Sequence, residues 1–580
     1  ACVVLERLKS LVSPKSLKDD GVAGLLLGVE SIPDGLAQGL VAGVNPVYGL
    51  YGYLYGMVGA AFFTSSLYMT VQATGAMSLV VADVGVVHSG EDADRALFTL
   101  AIMTGVFMIA AGLFKLGFIL RFVSNAVMVG FMSAVGINIV LGQLENFTGY
   151  TSEGSNRITR TIDTLLSPLQ LDWQTVLIGV ATVAMILLLE RTRLGALGMV
   201  VAIIAGSVLV PLLSWDVLQL NDIADIPSGL PVPAVPLLSV IPDLIIPAIS
   251  LAFVGLVQGA GISASFANPD GEYPDASRDF FGQGVGNVVS GIFRGMPVGG
   301  STSATALIAE GGMRTNMAKL IAGLVMAITI IFFATAVGYI AMPALAALLM
   351  VVGFRSIKPA DIVSVWKTGT VQRLVMVITL FLTIVMPLQY AVLVGVAISM
   401  ILYIIRSSSA VRVKQRIIRD GDFKEVDPPG AVGRNEVLML QPYGGIFFAS
   451  AAAFEDLLPD VTEDTDNSVV ILRLRGYDDL GSTFMDLLGR YAESLRLAES
   501  RLVLMSLRPR VMDQLVVTGV ADTIGSENLY PRDDWVGREM REAMSQAQEW
   551  VDEHAATPED QDGSSGGAEA DQPDSPESQA

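Results

Sequence analysis

Two short stretches gather residue types suited to holding an anion: "MTVQATGAMSLVV" (69–81) and "GMPVGGSTSATAL" (295–307). Each sets glycine and hydroxyl residues ahead of an apolar run too short to cross a bilayer. Unpaired backbone N–H groups cannot be left in hydrocarbon, so a helix that begins at mid-membrane depth must face protein or a watery cavity. Its free amides and the positive end of its dipole favour an anion by about 0.3–1 kcal/mol at exposed sites and up to about 2 kcal/mol when partly buried. Gly299 and Gly300 let a ligand approach the backbone, and Ser301, Thr302 and Ser303 cap the helix or donate hydroxyls. Thr74, Gly75 and Ala76 offer the same parts in the first stretch. Two such helix starts facing each other make an anion site without a fixed positive side chain. The competing reading is that these small residues serve close helix packing.

The elements that must position them belong to a membrane protein. Of 580 residues, 52% are hydrophobic and 16% charged, with a mean hydropathy of +0.56. Fourteen apolar segments fall between residues 21 and 405, most long enough to span a bilayer at about 20 residues each. The exceptions, 74–88 and 302–311, are the third of the first seven and the third of the second seven. Short segments at matching places in two halves point to an inverted repeat with the binding site between its halves. Basic residues flank the apolar region at Lys9, Lys15 and Lys18 and again at Arg406, Arg412, Lys414, Arg416 and Arg419. By the positive-inside rule both ends are cytoplasmic, which fits an even number of spans. No signal peptide is expected at the N-terminal end of the sequence.

The chemistry this leaves is binding rather than catalysis. One cysteine, Cys2, gives no disulfide framework, and two histidines, His88 and His554, argue against a histidine-built metal site. No catalytic residue, resident metal or cofactor is expected. The net charge of −21 is concentrated late in the chain, where 33 acidic and 17 basic residues follow Ile405. That acidity belongs to a soluble part, and an acidic surface repels nucleic-acid phosphates. A high-salt source and an ordinary solubilising tail both account for it. Past a linker at 406–433, residues 434–552 alternate apolar runs such as "SVVILRLRG" with amphipathic ones such as "TFMDLLGRYAESLRLAE", as a small α/β domain does. The acidic Gly/Ser/Pro stretch at 553–580 is expected to be disordered. Residues 1–20 form a cytoplasmic lead-in and 21–405 the membrane domain.

These motifs resemble those of the sulfate permease family of anion transporters, which includes bacterial sulfate, dicarboxylate and bicarbonate carriers and animal anion exchangers. "SIPDGLAQGLVAGVNPVYGLYG" (31–52) is similar to the family's first-helix motif, "SNAVMVGFMSAVGINIVLGQL" (124–144) to its fifth helix, and "FFGQGVGNVVSGIFRGMPVGGSTSATAL" (280–307) to the approach to its tenth. The 434–552 domain resembles the family's cytoplasmic STAS domain. The resemblance implies seven-plus-seven helices in an inverted repeat, a core domain (helices 1–4 and 8–11), a gate domain (5–7 and 12–14) and elevator-like movement of the core. It puts the substrate between the starts of helices 3 and 10, with Gln38 of helix 1 and Gln258 of helix 8 alongside. It also implies a homodimer in the plasma membrane, with a regulatory ligand or partner at the STAS domain. Three residues depart from the common pattern: Asp34 stands where many members have Gln, Gln258 where many have Glu, and Ala304 where many have Arg.

Asp34 is therefore the candidate for a coupling ion, sodium or a proton, since an ionisable group in an apolar helix usually faces a cavity or a partner. The alternative is a cap after a helix break at Pro33. Asp83 and Glu310, near the ends of the short segments, read as solvated. Arg294 either steers anions or caps. "NPDGEYPDASRD" (268–279) reads as a solvated turn, since it lacks calcium-loop spacing. Ser482 and Thr483 in "YDDLGSTF" are candidates for phosphorylation or for capping the next helix. Small-oxyanion transport, of sulfate or bicarbonate, leads. A nucleobase–cation symporter of the same fold and a membrane-anchored STAS signalling protein are the rivals.

Overall fold

Small residues set how closely the apolar helices approach one another. The computed structural model describes residues 17–117, 124–154, 156–192, 194–195, 197–419, 422–532 and 538–555. Lys9, Lys15 and the acidic stretch from residue 556 lie outside them. The chain divides into two compact units, Ala1–Met400 and Ile401–Ala580.

In the first unit the helices that bear on the site are α1 (Leu17–Val41), α2 (Gly75–Ala82), α3 (Ala93–Leu113), α4 (Asn125–Gly142), α5 (Ile241–Ser265), α6 (Ala276–Ile292), α7 (Thr302–Glu310), α8 (Met317–Phe332) and α9 (Leu388–Ser408). Among the described residues, three helical stretches are long and apolar enough to cross a membrane: Ala93–Leu113, Asn125–Thr148 and Leu238–Ser265. Shorter apolar helices stand beside them, including Trp173–Leu189, Leu197–Leu213 and Thr370–Val385. The backbones of α3 and α6 nearly touch. A Cβ on Gly105 would lie 2.6 Å from the Gly284 carbonyl, and one on Gly284 would lie 2.7 Å from the Gly105 carbonyl. Likewise Gly24 and Gly28 of α1 seat on Ala318 and Ala322 of α8. Packing of this kind replaces the hydrophobic driving force that lipid does not supply. α1 runs unbroken through Pro33, so the expected break there is absent.

The two candidate stretches are joined directly. Strand β1 (Thr70–Gln72) pairs antiparallel with β2 (Gly299–Ser301), with Thr70 opposite Ser301 and Gln72 opposite Gly299. Each strand leads into its own short helix, β1 into α2 and β2 into α7. The approach to β1 is pinned by a residue of the turn read above as solvated. Asp270 and Glu272 are exposed, but Asp279 is fully buried. It accepts hydrogen bonds from Ser65 N (2.6 Å), Ser65 Oγ (2.8 Å), Ser66 N (2.9 Å) and Ser263 Oγ (2.7 Å). Asn268 adds bonds to Leu67 N (2.9 Å) and the Ser65 carbonyl (3.2 Å). A buried amide cannot go unpaired, so this half of the turn is structural. Asp279→Ala should cost about 3–5 kcal/mol by stripping those donors of their acceptor. The purified protein should melt at a markedly lower temperature, with Asp279→Asn, which keeps one acceptor oxygen, falling less.

The second unit is built on period-two alternation. Leu438 and Leu440, Val470 and Leu472, and Leu502 and Leu504 point into one apolar cluster, while Met439, Ile471, Val503 and Met505 point into another. A six-stranded sheet results, ordered β4-β3-β5-β6-β7-β8: β3 (Arg412–Arg419), β4 (Asp422–Val426), β5 (Val437–Tyr443), β6 (Val469–Arg473), β7 (Arg501–Leu507) and β8 (Leu529–Pro531). β5 to β8 are parallel and β3 is antiparallel to both neighbours. Helices α10 (Ser482–Leu497) and α11 (Pro509–Val517) contribute Phe484, Leu488, Val511 and Leu515 to the first cluster, and α12 (Arg538–Ala555) contributes Met540, Ala547 and Val551 to the second. At about 1.5–3 kcal/mol per large buried side chain, both faces matter to the stability of this unit.

Two expectations are corrected here. Much of the stretch 406–433, expected as a linker, is β3 and β4. Arg416 bonds Glu425 at 2.9 Å, and hydrogen bonds from Tyr443 and Arg416 hold the Glu425 carboxyl below its ordinary range. At α10 the N-cap is Gly481 with no side-chain cap bond, and Ser482 and Thr483 stand exposed, so neither hydroxyl caps the helix.

Candidate functional site

The two short helices begin at residues that cap them. Thr74 has extended backbone and its hydroxyl accepts from Met77 N, while Ser301 caps α7 by accepting from Ala304 N. The first amides of each helix have no acceptor inside it. Thr74, Gly75 and Ala76, and Gly300, Ser301, Thr302 and Ser303, line one cavity of about 520 Å³. Gln38 of α1, Gln258 of α5 and Asp34 line it too. Apart from Gly299, the candidate anion and coupling-ion residues read from the sequence therefore line one cavity.

Their hydrogen bonds fall into three groups. The Thr74 hydroxyl donates to Gln258 Oε1 at 3.0 Å, and the Ser301 and Ser303 hydroxyls lie 3.2 Å apart. Gln38 donates from Nε2 to Asp34 Oδ1 at 3.3 Å and accepts from Ser78 Oγ at 3.1 Å. Tyr53 sits 2.6 Å from Asp34 Oδ2 and 3.0 Å from the Ala73 carbonyl. It has one hydroxyl proton for these two acceptors.

Besides lining the cavity, Gly75 and Gly300 are points of close packing, as is Gly299. A Cβ on Gly300 would meet Gly259 Cα at 3.0 Å, and one on Gly299 would meet Met77 Sδ at 2.6 Å and Gly255 Cα at 3.1 Å. Their missing side chains let β2 lie against α5 and α2, as the packing reading held. At α2 a Cβ on Gly75 would meet Ile139 Cδ1 at 2.5 Å.

Several residues that the sequence reading missed hold this frame. On α6, Gln283 Oε1 accepts from Gly300 N (3.0 Å), Asn287 exchanges two bonds with the backbone of Val298 (2.6 and 2.8 Å), and Ser290 Oγ donates to the Met296 carbonyl (2.7 Å). They behave as a substitute strand edge for 296–300. The signal available was their spacing of four and three residues on one face of a glycine-rich helix. Glu30, Arg355, Lys358 and Asp361 also line the cavity, and Arg355 is held in a bidentate pair with Glu190. Among the described residues no cluster of His, Cys, Asp and Glu able to hold a metal ion occurs.

Two other sequence candidates are accounted for. Arg294 adopts a left-handed backbone (φ 58°) and its Nε donates to the Val232 carbonyl at 3.0 Å, so it ties down a loop. Asp83, expected to be solvated, is paired: Arg157 Nη2 lies 2.9 Å from Oδ1 and Leu388 N donates to Oδ2 at 2.8 Å. Glu310 is exposed.

Comparison with known proteins bears on the fold that carries two capped helix starts joined by a strand pair. The sequence model of the sulfate permease family matches residues 17–379, more than half of the chain, and that of the STAS domain matches 429–534. The chain belongs to the sulfate permease family. As a sulfate permease family member it is 29% identical over 393 residues to a probable sulfate transporter of Mycobacterium tuberculosis, covering 66% of this chain and 70% of the relative. It is 28% identical over 460 residues to the bicarbonate transporter BicA of a Picosynechococcus species, covering 76% and 80%. These relatives are named as transporters, not enzymes. The fold is similar to that of the murine Slc26a9 anion transporter solved in the inward-facing state, with a TM-score of 0.83 at 19% identity over 94% of each chain. At that identity the likeness speaks for the fold, a helical transporter with a C-terminal STAS domain.

Proposed function

We propose that this sulfate permease family protein is a secondary transporter of a small inorganic oxyanion, sulfate or bicarbonate. The anion sits between the starts of α2 and α7, received by the first amides of both helices and by the hydroxyls of Thr74, Ser301, Thr302 and Ser303. One observation carries this reading: two half-helices, linked through β1 and β2, open their N-terminal ends into one cavity. Two macrodipole ends of about half an elementary charge each offset one anionic charge, and hydroxyls and amides bind oxyanions without a covalent step.

In this reading fourteen segments in a seven-plus-seven repeat cross the plasma membrane with both termini cytoplasmic. The core moves as an elevator against the gate in a homodimer, and the STAS domain takes a regulatory ligand or partner. Asp34 receives the coupling ion, sodium or a proton, because it is the carboxylate that shares hydrogen bonds with both Gln38 and the Tyr53 bridge to Ala73. The test is uptake of labelled sulfate and bicarbonate into proteoliposomes of the purified full chain, with and without imposed sodium and proton gradients. Saturable uptake of one of the two, driven by one gradient, is expected. Uptake of neither would overturn the reading.

A further inference from the structure

At the far end of α2 lies a second cavity, of about 240 Å³. Three helices run from the first cavity to this one. Gln38 of α1 lines the first while Leu40 and Val41 line the second; Thr74–Ala76 of α2 line the first while Leu79 and Ala82 line the second; Ser133 of α4 lines the first while Asn138 lines the second. Ile139 borders both, is 1% exposed, and has its Cδ1 against Gly75. The partition between the cavities is about one helical turn thick.

The second cavity differs in charge from the first. Its ionisable lining is Arg157, Arg160 and Glu145, against three carboxylates and two cations in the first. Asn138, fully buried, donates from Nδ2 to the Thr383 carbonyl at 3.0 Å, and its Oδ1 has no partner among the described residues. The guanidinium of Arg157 is at present held by Asp83, the C-cap residue of α2. The same carboxylate accepts from Leu388 N at the start of α9. One side chain therefore fastens the half-helix to two elements outside it, the helix Arg157–Leu166 and α9.

We propose that the second cavity is another station for the transported oxyanion, on the opposite side of the partition, and that Asp83 keeps it closed by occupying Arg157. The proposal rests on the functional reading above. Moving α2 away from Arg157 by more than about 1 Å takes the 2.9 Å Asp83–Arg157 contact out of hydrogen-bonding range. That leaves Arg157, a planar donor suited to oxyanions, free to take the anion in place of the carboxylate. Anion and Asp83 compete for one guanidinium, so an anion arriving on this side stabilises the open arrangement by its preference for it.

The test uses sealed proteoliposomes of the full chain sorted by orientation, with labelled sulfate and bicarbonate presented from one side at a time. Arg157→Gln and Arg160→Gln should raise the half-saturating concentration about tenfold from the side of the second cavity, the scale of one lost charged hydrogen bond. From the other side the value should stay within twofold, and Arg157→Lys should recover most of the loss. Separately, a thiol at Thr164→Cys, a buried position lining the cavity, in a Cys2→Ser background should react faster with an impermeant reagent when Asp83→Asn is added. Asparagine still accepts from Leu388 N, so only the ionic hold on Arg157 is removed. Equal changes from both sides, or an unchanged labelling rate, would overturn the proposal. Wild-type vesicles that move neither anion would instead refute the functional reading, a result distinct from intact transport without a sided effect.

Discussion

Gly300→Val should abolish anion uptake, by at least a hundredfold, in protein that still inserts and elutes as a single species. The cause is a backbone collision. A Cβ at Gly300 stands 3.0 Å from Gly259 Cα and 3.0 Å from Ile262 Cδ1, tighter than ordinary contact, and valine adds two methyls beyond it. Overpacking of this kind costs about 1–3 kcal/mol and is relieved by moving backbone. The backbone that moves is β2, which carries Ser301 and is paired to β1 opposite Val71. Both helix starts shift together, and hydroxyls displaced by about 1 Å lose their aim, a displacement able to cost a hundredfold in rate. Gly300→Ala, with one carbon instead of three, should retain partial uptake. Ser303→Ala leaves the frame in place and should raise the half-saturating concentration about tenfold by removing one hydrogen bond to the anion, whereas Ser301→Ala also strips the cap of α7 and should raise it further. Labelled uptake in proteoliposomes decides it: a valine variant at the normal rate would show that the site lies elsewhere.

Asp34→Asn should separate uptake from the cation gradient. Gradient-driven accumulation should fall about tenfold or more, while anion-for-anion exchange persists within twofold. On the proposed function, the route from carboxylate to anion runs through Tyr53, whose single proton serves either Asp34 Oδ2 at 2.6 Å or the Ala73 carbonyl at 3.0 Å. A charged Asp34 draws that proton to itself. A neutralised or cation-bound Asp34 releases it to Ala73, the residue before the cap Thr74, so occupancy of Asp34 is felt at the start of α2. Tyr53→Phe should therefore weaken coupling while leaving exchange intact, as Asp34→Asn does. The double change Asp34→Gln with Gln258→Glu should restore part of the coupling, because Gln258 lines the same cavity and bonds Thr74 directly. Undiminished gradient-driven uptake by Asp34→Asn protein would defeat this assignment.

The parts of this molecule that were legible in the sequence are those with local causes. Thr74 and Ser301 announce helix starts because a hydroxyl ahead of an apolar run is what a cap requires, and both do cap. The soluble α/β unit is legible because "SVVILRLRG" carries its own periodicity. Strands β1 and β2 are three residues each, too short for alternation to register, and their pairing joins residues far apart in the chain. Asp83 and Arg157 are 74 positions apart, so nothing near either one signals the other. Asp279 was hidden by company: in "NPDGEYPDASRD" it stands among residues that are solvated, and only the fold separates it from them. In β3, the sequence "RVKQRIIR" has no clean alternation although the strand lies between β4 and β5, and its position after an apolar segment makes its basic residues look like a membrane flank.

The pairing of β1 with β2 also bears on how the protein is made. Thr70 emerges from the ribosome long before Ser301, and at about 5–20 residues per second the interval is on the order of ten to fifty seconds. Through that interval the strand amides of 70–72 have no partner, and hydrocarbon offers none. The nascent segment from β1 into α2 must therefore wait in a watery setting, at the bilayer surface or within the insertion channel. Strand β1 cannot pair until residues 299–301 have been made. Arrival of residues 299–301 supplies the partner of β1 in one event, and a chain arrested before Gly299 should stay open to proteases around residues 70–72.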